Sequence, residues 1–159
     1  MQCTKDIKIR ELQLQIVHRF YPCKSKISKW DPETKAECTY CRNKKANILH
    51  TFYECTVALA FWQTLNEWLK YNNLWSEDLT KENIILTVIP YKINTHAVNH
   101  MLLLAKYYIN KETRAEKNIS FPLFLTYYKH ILFVEKEIYI LNDNIKVFNA
   151  LFGKVLNSL

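Results

Sequence analysis

Four side chains in one short stretch have the types and spacing to hold a metal ion: Cys38, Cys41, His50 and Cys55, arranged Cys-x2-Cys-x8-His-x4-Cys. Two cysteines separated by two residues make a knuckle whose sulfurs can reach one metal from a tight turn. A histidine and a cysteine about a helical turn apart can close the tetrahedron from the other side. Three thiolates and one imidazole fill all four positions with protein, as in structural zinc sites, and a thiolate-rich tetrahedron selects zinc over harder cations. The expected cofactor is one structural Zn²⁺.

Other readings of the same residues stay open. A redox Cys-x-x-Cys belongs beside a βαβ pattern, which the sequence does not suggest, and a disulfide needs an oxidising compartment. The cysteines could also be small buried hydrophobes and His50 a core histidine. Cys23, fifteen residues before Cys38, is the second-choice ligand; Cys3 is a spare thiol and His18 a surface or packing residue.

A catalytic zinc keeps one position open for water. The sequence has no His-x-Glu of the deaminase kind, no Pro before Cys38, where Glu37 stands, and no His-Glu-x-x-His. A glycine-rich phosphate loop cannot be built from the single glycine, Gly153. No enzyme activity and no catalytic residue is expected.

The elements that must position the four ligands are helical. One glycine and four prolines in 159 residues leave little material for the turns of a many-stranded sheet. With 49% hydrophobic residues the chain can build a core. Helical spacing of Ile9, Leu12, Ile16, Val17 and Phe20 predicts a first helix over 6–21, closed by Pro22. A short turn around 25–30 follows, then polar residues up to the ligand cluster. Val57, Ala60, Phe61, Thr64, Leu65, Trp68 and Leu69 mark a second helix that exits at Asn72–Asn73. Thr80, with Glu82 and Asn83, starts a short third helix broken at Pro90. A fourth spans 95–112, presenting Val98, Met101, Leu102, Ala105, Tyr108 and Ile109, and 111–118 is a loop. Ser120 and Pro122 signal a helix start, and 121–152 reads as one long helix or two joined near Asn142–Asn144. The expected fold is all-α (mostly helical): a small zinc-knuckle lobe between amphipathic helices, then a helical C-terminal tail. A seam near 72–80 would divide a zinc-binding region, 1–72, from a helical region, 73–159.

The net charge of +7 is uneven: residues 1–55 hold eleven basic against six acidic side chains, +5, and residues 56–159 eleven against nine, +2. Between Glu11 and Asp31 the bases Arg19, Lys24, Lys26 and Lys29 have no acid among them. A polyanionic partner fits this excess; an ordinary basic surface is the plainer alternative. Three thiolates around Zn²⁺ would leave the site itself at −1. With charged residues throughout 1–20 no signal peptide is visible there, and the apolar runs fall short of the ~20 residues a membrane span needs. An intracellular chain, cytoplasmic or nuclear and off the membrane, is expected.

From Ile9 to Leu69 the sequence resembles the zinc-binding domain found C-terminal to the reverse transcriptase of non-LTR (LINE-type) retrotransposons. The resemblance lies in IVHRFYP (16–22), Trp30, CTYC (38–41), ILHTFYEC (48–55) and the pair Phe61–Trp62. Looser matches follow in LLLAKYYI (102–109) and FPLFLTYYKHILFVEKEI (121–138). It implies that Cys38, Cys41, His50 and Cys55 are the ligands, and that the domain binds RNA or DNA beside a polymerase. The sequence has neither a palm-type Asp-Asp pair nor an endonuclease domain, so the expectation is a separated, degraded or binding-only piece. Arg42, Lys44 and Lys45 would lie at the knuckle tip, with Arg19, Lys24, Lys26 and Lys29 extending the patch to phosphates. Tyr40 and Trp30 could stack on unpaired bases; Trp30 is read first as core, as are Phe52, Phe61, Trp62, Trp68 and Leu69. The alternative is a zinc-stabilised protein-interaction module, docking on a reverse transcriptase core or another protein, or an inactive remnant.

Overall fold

A computed structural model describes residues 4–42, 45–87 and 95–159. Among them there is no strand; one isolated antiparallel bridge pairs Glu37 with Lys45. The helices are α1 (Ile7–Val17), α2 (Lys24–Ile27), a π-helical turn (His50–Glu54), α3 (Thr56–Tyr71), α4 (Lys81–Leu86), α5 (His96–Arg114), α6 (Phe121–Leu141) and α7 (Ile145–Leu156). The all-α expectation holds.

Helix ends follow local chemistry. Asp6 caps α1 by accepting from the N–H of Lys8 and Ile9. Thr80 and Asn83 form a reciprocal capping box on α4. Ser120 does cap α6, with Pro122 in its first turn, but through position alone, since its hydroxyl makes no capping bond. The first helix stops at Val17, well before Pro22. Arg19 takes a left-handed conformation (φ 58°), so that Phe20 N–H reaches back to Gln15 O at 2.7 Å and Arg19 N–H to Ile16 O. That is a Schellman closure built without glycine. As a result Val17 and Phe20, expected on the buried face, are exposed. The same closure at Asn73 (φ 54°) ends α3 where expected. Asp143 (φ 53°) separates α6 from α7, resolving the 121–152 segment into two helices. Pro90 lies outside the described residues.

α5 is the central helix. Beyond the six apolar positions expected, Ala97, Leu103, Leu104, His100 and Lys106 are also buried, as for a helix enclosed on nearly all sides. α1, α6 and α7 pack on it, and α3 packs on α6. Phe61 of α3 joins them through rings at 5.3 Å from Phe124 and 6.1 Å from Tyr108. The stretch near 72–80 links α3 to α4, and buried residues from both sides of it enter one continuous cluster running from Ile9 to Val155.

Lys106 is the least expected member of this core. Its ammonium donates to Gln13 Oε1 of α1 and to Ile85 O (3.1 Å) and Thr87 Oγ1 at the end of α4. Three acceptors match its three donors and place a cation at a helix C-terminus. Burial still pulls its pKa well below the ordinary lysine value.

Candidate metal centre

The knuckle is framed by short-range hydrogen bonds. The Glu37–Lys45 bridge and the bond from Ala46 N–H to Ala36 O (2.8 Å) pinch the base of the loop. Inside it, Arg42 N–H donates to Cys38 O and Arg42 turns left-handed (φ 54°), folding Cys38 and Cys41 toward one side. Ser25 N–H donates to Ala46 O and anchors the loop on α2.

The other two candidates come from the π-helical turn. Asn47 caps it, its Oδ1 accepting from His50 N–H at 2.8 Å. Cys55 N–H closes back on His50 O at 2.9 Å. In an α-helix, residues five apart stand about 140° apart around the axis; the wider i→i+5 turn brings Cys55 back over His50. Cys55 is also the N-cap position of α3. Phe52, fully buried, and Trp62, whose Nε1–H donates to Phe52 O at 2.7 Å, lock the turn onto α3. The core assignments of Phe52, Phe61, Trp62 and Leu69 hold, and Trp68 is partly buried against the same cluster.

The four ligand atoms all lie within 4.8 Å of one another. Cys38 Sγ is 3.6 Å from Cys55 Sγ, and Cys41 Sγ is 3.3 Å from His50 Nε2. A tetrahedral ion with arms of about 2.0–2.3 Å has S···S edges of about 3.8 Å and S···N edges of about 3.6 Å. The spacing fits such an ion and is far too long for a disulfide of about 2.05 Å; the cysteines are free. Cys38, His50 and Cys55 are buried and Cys41 half-buried. Among the described residues no other cluster of three or more such side chains forms, and Cys23 stands outside this one, its Sγ 3.4 Å from Ser25 Oγ.

The thiols are electrostatically unequal. Burial opposes the Cys38 thiolate, but the N–H groups of Cys41 and Tyr40 and the thiols of Cys55 and Cys41 outweigh it and bring its pKa below the usual value. Burial pushes Cys55 up to about 11, against the pull of Val57 and Ala58 N–H and with the neighbouring Cys38 adding to the rise. Two like charges this close cannot both persist unaided. A divalent cation between them would remove the conflict by displacing both protons.

No protein-family model and no curated protein matches this chain. The cluster stands on its own geometry.

The basic candidates divide. Arg19, Lys29, Arg42 and Lys45 are exposed, while Lys44 lies outside the described residues. Lys24 is half-buried, donating to Thr39 Oγ1 (2.6 Å) and pairing with Glu116 at 3.5 Å; Lys26 donates to Arg19 O. Tyr40 is half-buried and its hydroxyl donates to Lys117 O at 2.6 Å. Trp30, read first as core, is 72% exposed beside Lys29, in the turn that follows α2. Arg114 was not anticipated; its guanidinium sits over the Tyr21 ring at 5.8 Å, beside the knuckle. No sequence signal marks it, because it reaches the lobe from the far end of α5.

Proposed function

We propose that this chain is a zinc-stabilised nucleic-acid-binding domain of the kind that follows LINE-type reverse transcriptases, with no catalysis of its own. The convergence of three sulfurs and one imidazole at tetrahedral spacing carries the reading. Zinc is the ion such a donor set selects. Arg19, Lys29, Arg42 and Lys45, exposed within the same lobe, supply phosphate contacts, and the exposed Trp30 supplies a stacking face. The bonded state of Tyr40 supports Trp30 as the better stacking residue.

The test is a titration of the zinc-loaded chain with single-stranded RNA and single-stranded DNA at rising salt. Binding that weakens steeply with salt is expected, evenly lowered across sequences by replacing Arg42 and Lys45 with Ala. Trp30→Ala should cost about 1–3 kcal/mol per stacked base. No binding at low salt overturns the nucleic-acid half of the proposal.

One observation favours a second reading, a protein-interaction module. Leu123, Phe133 and Leu141 of α6 are 62%, 61% and 83% exposed, a large apolar exposure for one helix. Salt-insensitive association with a protein, lost on Phe133→Glu, would support it.

A further inference from the structure

Away from the metal cluster, the start of α1, the start of α5 and the facing sides of α6 and α7 leave a cavity of about 340 Å³. Its walls are largely apolar: Ile9, Ile131, Val134, Ile138 and Phe152. Val134 and Ile138 are also exposed, so the cavity opens to solvent along α6. Its size falls within the range of small-molecule sites.

The charged residues lining it are Lys5, Asp6 and Glu135. Two carboxylates against one ammonium make it net negative in a chain that is +7. Asp6 is already engaged in capping α1, and Lys5 rests over the Tyr139 ring at 5.8 Å. Glu135 is different. One of its oxygens is held by His100 Nε2 at 3.2 Å; His100 is fully buried, and its Nδ1 lies 3.4 Å from the hydroxyl of the equally buried Tyr128. That hydroxyl is in turn 3.4 Å from Ala97 O. Phe152 packs edge-on against His100 at 5.1 Å. A chain of buried groups running back to the α5 backbone therefore fixes a carboxylate in an apolar wall. His96, lowered in pKa by burial and by the neighbouring His100, adds no positive charge to the lining at neutral pH.

We propose that this cavity binds a small organic ammonium: a primary or secondary amine carried on a compact apolar chain or ring. The walls take up the apolar body, which gains by leaving water. The Glu135 carboxylate receives the N⁺–H as a charge-assisted hydrogen bond. An anion of the same shape meets like charge, and a neutral molecule offers Glu135 no charge-assisted hydrogen bond.

The experiment titrates the full zinc-loaded chain with n-hexylamine, n-hexanoate and n-hexanol at matched ionic strength, followed by NMR. Hexylamine is expected to give saturable shifts centred on Ile131, Val134 and Ile138, at least about tenfold tighter than the acid or the alcohol. Glu135→Gln should remove that preference. Val134→Trp, which fills the mouth and leaves the His100–Glu135 pair in place, should abolish binding with an unchanged melting temperature. Equal binding of the three probes, no saturable shift with hexylamine at millimolar concentration, or full binding by the Val134→Trp protein would overturn the proposal.

Discussion

Cys55 serves two structures at once: it closes the π-helical turn by its N–H and opens α3, while its sulfur faces Cys38. Its replacement therefore separates metal loss from helix loss. Native mass spectrometry should find one zinc per chain, absent or substoichiometric in Cys55→Ser, and a chelator should lower the melting temperature of the first protein and not of the second. Phe52→Ala, which empties a fully buried ring site against Tyr21, should cost about 3–5 kcal/mol in denaturant unfolding. The four candidate ligands were legible because their residue types and spacing match a metal site, although the π-helical turn that brings Cys55 over His50 was not. Lys106, His100 and Glu135 were not. A polar residue on an apolar helix is known to be buried only when its partners are known, and those of Lys106 come from positions 13, 85 and 87.

Among the elements, helix positions were legible from apolar spacing and most ends from caps, but the end of α1 was not, because an arginine took the left-handed role usual for glycine. The chain's one glycine sits instead inside α7, where an added Cβ meets nothing within 4 Å. Gly153→Ala should raise stability by about 0.5–1 kcal/mol, read as a higher denaturant midpoint. Lys106 ties α1, α4 and α5 together, and burial depresses its pKa. Between the folded and unfolded pKa values the unfolded chain binds more protons, so this group's contribution grows as pH rises toward the ordinary lysine value. The stability of the wild type minus that of Lys106→Met should therefore increase from pH 7 to pH 10, whereas an unshifted lysine would give a flat difference.

Across the whole molecule, the charge asymmetry visible in the sequence takes the form of exposed bases on the knuckle lobe, while α6 exposes Leu123, Phe133 and Leu141. No described helix is long and apolar enough to cross a membrane. The bulk of the core is helical packing, from Ile9 through α5 to Val155. By contrast, between Asp31 and Asn47 only Cys38 and Ala46 are buried among the described residues. That segment has almost no oil of its own, and one of its two anchors, Cys38, is a candidate metal ligand. Starved of zinc, the chain should keep its helical circular dichroism yet become nicked by trypsin around Lys35, Arg42 and Lys45, so that metal supply governs how long the intact polypeptide survives rather than whether it folds.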